Sequence, residues 1–583
     1  LCMYIKPKAY SVGIKKILSF FFITFFVFGS SFAQNAIVTE NNLPGTNPSV
    51  WDNLNGTSGD MSIQGFATSI GVNRGETVNF KVDVNTGADK SFDVSIYRIG
   101  YYQGNGARKI ADLPFVTGIA QGACLTDTTG ILDCGNWLQS FSWAVPITAT
   151  SGLYIAKVTR RDGSGGTSHI AFVVRDDAST SKLYFQTSDA TWQAYNWYGG
   201  NSLYVGPGLS FNHAKKVSYN RPFLTRDAGS GPDVGEDWFM NSEYPMIRFL
   251  EANGYDMSYT TNVDVARHGN LILNHKVLLS VGHDEYWSKE QRDNVEAARA
   301  AGVSLAFFGG NEVYWKTRWE NSIDGLDSAY RTIVCYKEGT LPTPQENACG
   351  YKCDPTPEWT GLWRDGCNAP GGNACKPENA LSSQISWDGG AAAIKVPGTY
   401  KNLRFWRNCP GIAALTGPAD TAVLAPSTLG YEWDWEQYFD SYPNSRITMS
   451  STNFAGGDGI VHNHKLSMYK TASGAWVFGA GTIQWAWGLD GNHDRNGGGN
   501  NVVSRDMQQA TINLLADMGA DATTLQSPLV AATASTDVTP PLSVITAPLT
   551  GASVPQADTI LISGTASDAD GTVAGVEVTT DGG

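Results

Sequence analysis

Two apolar runs that each end in glycine, with a helix between them, constrain this chain more than any other feature. The first is Val277-Leu278-Leu279-Ser280-Val281, which stops at Gly282 and is followed at once by His283, Asp284 and Glu285. A helix is expected from Ser288, with Gln291 at the capping-box spacing and Gly302 at its end. The second run, Val303 to Phe308, ends in Gly309-Gly310-Asn311-Glu312. Strand, helix, strand in that order predicts neighbouring parallel strands joined by a right-handed crossover. Parallel strands place their C-terminal ends on one rim, where open α/β sheets carry their chemistry. The two polar sets should therefore be neighbours. The bland reading is a pair of surface turns with ordinary charges.

The other segments take their places around this centre. A length of 583 residues predicts two or three domains. Lys15 and Lys16, the apolar run Ile17 to Phe28 and Ser31-Phe32-Ala33 read as a signal peptide over 1–33. Those residues hold four Lys and no acid, so their removal takes the net charge from −14 to −18. Nothing basic is clustered, which argues against a nucleic-acid partner, and no later stretch reads as a transmembrane helix. Residues 34–178 read as an antiparallel β-sandwich, with alternating runs such as Thr77 to Val82, Leu153 to Val158 and Ile170 to Val174. Tyr101 and Tyr102 there suit core or edge packing, or a sugar platform. Residues 179–525 read as a central α/β core. Its further elements are a strand at Leu183 to Gln186, helices at Ser242 to Asn253 and Ser504 to Met518, and strands at Tyr255 to Tyr259, Trp476 to Phe478 and Thr482 to Trp487. Residues 526–540 are an Ala/Thr/Ser/Pro linker, and 541–583 read as the first part of an immunoglobulin-like module, too short to close a sandwich.

Beyond Cys2, eight cysteines remain: Cys124, Cys134, Cys335, Cys349, Cys353, Cys367, Cys375 and Cys409. An even number in an exported chain predicts disulfides, with Cys124–Cys134 the simplest pair. Cys349, Cys353, Cys367 and Cys375 lie in a Pro/Gly-rich insertion, and their spacing matches no familiar zinc finger, so disulfides are expected there too.

Two more polar sets stand out: the stretch TWQAYNWYGGNSLY, with Tyr195, Tyr198 and Tyr204, and GYEWDWEQY, with Glu432, Asp434 and Glu436. The first follows a strand of the same sheet and can reach the same rim. No topological argument places the second. His462 and His464 alternate on a strand-like stretch and suit either solvent exposure or metal ligation. Asp490, Asn492 and Asp494 resemble a calcium loop without its downstream Glu.

VGHDEYWS, LAFFGGNEVYWKTR, the AYN…GG.S.Y stretch and GYEWD, in that order, resemble the C-terminal region of the large (beta) subunit of N,N-dimethylformamidase. The resemblance implies a glutamine-amidotransferase-like α/β core and an amidohydrolase with a mononuclear iron, held by two tyrosines and one glutamate. Carried over by motif, these are Tyr195, Tyr204 and Glu285, with Tyr198 an open alternative to Tyr195. His283, Asn311 and Glu432 match polar residues around that metal, and Asp284 is left as structural. Two phenolates and a carboxylate suit a hard cation such as Fe3+, and three protein ligands leave room for water and an amide carbonyl. His283 or Glu432 would handle the proton and Asn311 would stabilise the oxyanion. The family pairs this subunit with a small one, of which the chain shows no trace. Export makes dimethylformamide a doubtful substrate and points to a small or polymer-borne amide. Two other readings remain: a surface glycan-binding protein with an inactive core, or a glycoside hydrolase using Glu285 and Glu432 as its carboxylate pair.

Overall fold

The computed structural model describes residues 35–52, 59–209, 213–224, 238–339, 352–365, 375–437, 441–494, 499–553 and 559–578. The expected signal segment and Cys349 and Cys367 lie outside them. The chain is rich in β-strands gathered into many small sheets. The largest has seven strands, named here in chain order: β1 (Leu183–Thr187), β2 (Met257–Thr261), β3 (Val277–Gly282), β4 (Ser304–Gly309), β5 (Ile447–Thr448), β6 (Ser467–Lys470) and β7 (Trp476–Gly479). Their spatial order is β2-β1-β3-β4-β7-β6-β5. The first five are mutually parallel, and β6 and β5 continue the sheet antiparallel.

The apolar runs explain this arrangement. A strand buried on both faces alternates its side chains between two cores. Phe185, Leu279, Val281 and Phe308 join a cluster with Phe249 and Leu250 of helix α2 (Glu243–Ala252) and Ile512 and Leu515 of helix α5 (Arg505–Asp517). Tyr184, Leu278, Leu305 and Phe307 face the other way, onto Val295 and Ala298 of helix α4 (Lys289–Ala300). Two shorter helices, α1 (Asp189–Tyr195) and α3 (Asn262–Arg267), directly follow β1 and β2. β3 and β4 are neighbouring parallel strands with α4 between them in the chain, as the spacing predicts. Ser288 caps α4 by accepting from the Gln291 amide (3.2 Å), but the Gln291 side chain turns away to Gln186, so only half of the capping box forms.

The N-terminal part packs a five-stranded sheet against a three-stranded one around Phe80, Ile96, Trp143 and Phe172. It is not wholly antiparallel: Gly71–Asn73 pairs parallel with Thr167–Arg175. The five-stranded sheet turns Tyr97, Ile99, Leu153 and Ile155 outward into the same apolar cluster that covers one face of the seven-stranded sheet. Buried in this contact, the Arg98 guanidinium grips Glu251 of α2 through two hydrogen bonds, 2.6 and 3.0 Å. Tyr259 and Asn41 fill the remaining acceptor sites of Glu251, at 2.6 and 2.7 Å.

Several expectations need correction. Tyr102 is fully buried and donates to Glu40, so it is no sugar platform. Residues Ile483–Gly488 form a 3-10 helix where a strand was expected, capped by the Thr482 side chain, which accepts from the Gln484 amide. Cys124–Cys134 is a disulfide, and Cys353 and Cys375 are disulfide-bonded, but Cys335 and Cys409 are buried free thiols. Asp490 pairs with Arg248 and its carboxylate closes a turn on the Asn492 amide, so that loop is a polar turn. Among the described residues no helix is long and apolar enough to cross a membrane. Leu542–Ala547 and Ser563–Ser567 form an antiparallel pair in the C-terminal module.

Removing one partner of a buried ion pair leaves the other charge uncompensated and costs about 3–5 kcal/mol. Arg98→Met should therefore lower the urea unfolding midpoint clearly, and Arg98→Met with Glu251→Met should recover part of the loss. An unchanged midpoint in the single variant would contradict the role given to this contact.

Candidate active site

Gly282 of β3 and Gly309 of β4 are register partners, so the segments after them leave the sheet side by side. A Cβ at Gly309 would fall 2.2 Å from the Gly282 carbonyl oxygen, so only glycine lets the two ends approach this closely. The segment carrying Glu432 arrives from elsewhere. It pairs as a short strand, Glu432–Asp434, with Trp387–Gly389. It is then tied to the rim through the chain following β7: the Asp434 amide donates to Gly481 (2.9 Å) and the Thr482 amide donates to Gly309 (2.7 Å). The Asn311 amide in turn donates to the Asp434 carboxylate (3.1 Å). Asn311 adopts a left-handed conformation (φ 52°), which asparagine tolerates, and this turns its side chain back toward the rim.

These constraints focus on Glu285, which is only 2% exposed. Tyr195 Oη donates to its Oε2 at 3.0 Å, and Tyr204 Oη lies 3.0 Å from both Oε1 and Oε2. The two tyrosine rings stack with centroids 4.3 Å apart. Tyr195 is the last residue of α1, and α1 is held against the loop by the Glu285 amide donating to Thr191 (3.0 Å). Asn311 Nδ2 donates to Glu432 Oε2 (2.9 Å) and reaches Glu285 Oε1 (3.3 Å). His283 Nε2 lies 3.2 Å from Glu432 Oε2 and 3.5 Å from Glu285 Oε2. Thus Tyr195, Tyr204, His283, Glu285, Asn311 and Glu432 meet in one cluster. Tyr198 does not: it packs beside Phe66 and Trp137. Asp284 points away and accepts from Gln186 (2.6 Å), Ser280 (2.7 Å) and Asn262 (3.0 Å), so it braces the strand ends.

Three further residues belong to this cluster. Tyr286 donates to Tyr204 Oη (2.7 Å), Tyr431 bonds His283 Nδ1 (2.9 Å), and the Lys337 ammonium sits 3.3 Å from the centre of the Tyr204 ring. Tyr286 and Tyr431 stand inside motifs already singled out. Lys337 carries no local signal, since it reaches the site only through the small sheet containing Trp315–Glu320 and Thr332–Val334.

Burial dominates the electrostatics. It pushes the Glu285 carboxyl upward, against the pull of the His283 and Lys337 charges. It raises the Tyr204 phenol well above its ordinary value, with the Glu285 charge adding to the rise. Around the same rim burial lifts Asp284 to about 6, Asp189 to about 7, and Glu243 and Asp434 to about 8. The protein thus keeps a set of acids poised between neutral and charged at one sheet edge, a pattern concentrated at reactive sites. Two phenol oxygens meet one carboxylate oxygen at 3.0 Å, an all-oxygen set of the kind a hard cation takes. The chemistry of the donor set therefore fits such an ion.

Fold and site together define a β-rich protein with a buried phenol–carboxylate centre at the C-terminal ends of the parallel strands of its largest sheet. Residues 93–500 match the family model described as N,N-dimethylformamidase beta subunit-like, C-terminal, and residues 541–583 match the bacterial Ig domain. The chain belongs to the N,N-dimethylformamidase beta subunit-like family, named for a hydrolase of amide bonds. It is similar to the N,N-dimethylformamidase beta subunit of Paracoccus aminophilus, 21% identical over 321 residues. That match covers 51% of this chain and spans about 40% of the relative's length.

The raised acids predict a pH dependence. Their folded values lie above the ordinary carboxylate range, so the fold favours the protonated form while the unfolded chain ionises first. Stability is then lost as pH rises toward about 8. Glu243→Gln keeps an oxygen for the Trp192 and Ser188 donors but cannot ionise. The fall in thermal midpoint between about pH 6.5 and 8.5 should be shallower in this variant; an equal fall would contradict the assignment.

Proposed function

We propose that this chain is an exported, metal-dependent hydrolase of amide C–N bonds, with a mononuclear iron held by Tyr195, Tyr204 and Glu285. The observation that supports it most is the convergence of two phenol oxygens on one buried carboxylate. A ferric ion held there would supply Lewis acidity toward water and an amide carbonyl, and a phenol–carboxylate set would hold so hard an ion better than a softer one. The remaining work falls to the chain. Tyr286, donating to Tyr204 Oη, and Lys337, over the Tyr204 ring, favour the phenolate that the ion requires. Glu432, beside His283 Nε2, takes the proton from the attacking water and returns it to the departing nitrogen. Tyr431 fixes the His283 ring through Nδ1, so Nε2 faces the carboxylates. Asn311 donates its side-chain amide to the developing oxyanion.

The same reading extends to the architecture and the setting. The five parallel strands with helices on both faces are the reason to group the core with glutamine-amidotransferase-like domains, and the bacterial Ig domain suits an extracellular protein. The substrate is taken to be a small or polymer-borne amide. The family match does not favour the glycan-binding or glycoside-hydrolase readings.

Purified protein should contain about one iron per chain and show a tyrosinate-to-iron charge-transfer band, both lost or strongly reduced in Tyr204→Phe and Glu285→Gln. A colourless wild-type protein that refuses iron would overturn the reading. Asn311→Ala should keep iron and colour but lose roughly 10²- to 10³-fold in kcat, the cost of one oxyanion donor. Unchanged turnover in that variant would remove Asn311 from the mechanism.

A further inference from the structure

A second group of potential ligands lies apart from the phenol–carboxylate centre. Asp388 sits in the strand Trp387–Gly389, the antiparallel partner of Glu432–Asp434. Facing it is the hairpin Thr452–Ala455 with Val461–His464, whose tip is Gly456 to Ile460. The hairpin brings Asp458 and His462, so that one ligand atom from each of Asp388, Asp458 and His462 lies within 4.8 Å of the others.

The environment of Asp388 is what makes this more than a pair of surface acids. The residue is 6% exposed. Its Oδ1 accepts from the Gly389 amide (2.7 Å) and the Asp458 amide (3.3 Å). Its Oδ2 is buried and has no hydrogen-bond partner. A carboxylate oxygen removed from water and left without a donor is costly unless a cation meets it. The hairpin is shaped to admit this oxygen: a Cβ on Gly456 would fall 2.1 Å from Oδ2. A second carboxylate, Asp458, faces the same spot, and a cation between the two would relieve their repulsion. His462 is oriented for it too. Its ring stacks on Trp435, centroids 4.1 Å apart, and its Nε2 lies 2.8 Å from Asp458 Oδ2.

We propose that Asp388, Asp458 and His462 form a second metal site, for a divalent transition ion of borderline softness such as Zn2+. One imidazole and two carboxylates match that class, since imidazole suits zinc and its neighbours while an all-oxygen set would suit Ca2+ or Mg2+. The ion's role is structural. It clamps the hairpin to the strand that pairs with Glu432, and so stiffens one wall of the candidate active site. It uses none of the residues of the proposed iron centre, so the two assignments stand or fall separately.

The test uses the full chain, loaded with iron and then freed of other metals by dialysis. Co2+ serves as the coloured probe and Zn2+ as the thermal one. Wild type should bind one further equivalent of Co2+ with a ligand-field band, and Zn2+ should raise its thermal midpoint by several degrees. Both effects should vanish in Asp458→Asn with His462→Ala, two changes on the hairpin that leave the buried Asp388 in place. Both should persist in Glu285→Gln, which separates this site from the iron centre. Absence of the extra equivalent in wild type, its persistence in the double variant, or binding of Ca2+ in place of Co2+ would each overturn the proposal.

Discussion

A carboxylate cannot be buried beside other acids unless something answers its charge, and the whole rim is arranged around that requirement at Glu285. Two phenols, an amide and an imidazole converge on it or on its neighbour Glu432. Each partner arrives on a different segment: Tyr195 at the end of α1, Tyr204 from the following loop, Asn311 from the end of β4, and Glu432 from a separate short strand. Those segments are held in turn by ladder contacts of the sheet. The Gly282–Gly309 register brings the Asn311 segment beside Glu285, and the Thr482–Gly309 bond brings the fourth.

This arrangement runs against stability in one respect. Glu243, Asp189, Asp434 and Glu312 are buried near the same edge, and their protons are held far above the ordinary range. A fold selected for stability alone would place apolar residues there. The large apolar clusters on both faces of the sheet, joined to the outer face of the β-sandwich through the Arg98–Glu251 contact, offset that cost. The sandwich is thus part of the scaffold that keeps the polar rim in shape, because its strands and the core helices share one apolar cluster.

The β3–α4–β4 unit was legible in the sequence because its signals are local: an apolar run, a glycine, a cap, a helix, a second run. Register then follows from parallel pairing, so the meeting of His283 and Glu285 with Asn311 follows as well. Tyr195 was separable from Tyr198 only in three dimensions, since the helix ends at Tyr195 and the chain turns Tyr198 toward Phe66. Glu432 had a motif but no place, because its position depends on contacts about 50 residues away at Gly481 and Thr482. Lys337 had neither motif nor spacing, and of the Asp388–Asp458–His462 group only His462 stood out, because Asp388 lies 70 residues before Asp458 in the chain. Thr482 to Trp487 looked like a strand because its apolar content matches one.

The central claim is that the Tyr195, Tyr204 and Glu285 oxygens surround a cation. Anomalous diffraction from crystals of the iron-loaded chain, recorded on either side of the iron absorption edge, tests it most directly. The account predicts one strong peak about 2 Å from all three oxygens. Density with no peak there, and both phenols still hydrogen-bonded to Glu285, would contradict it.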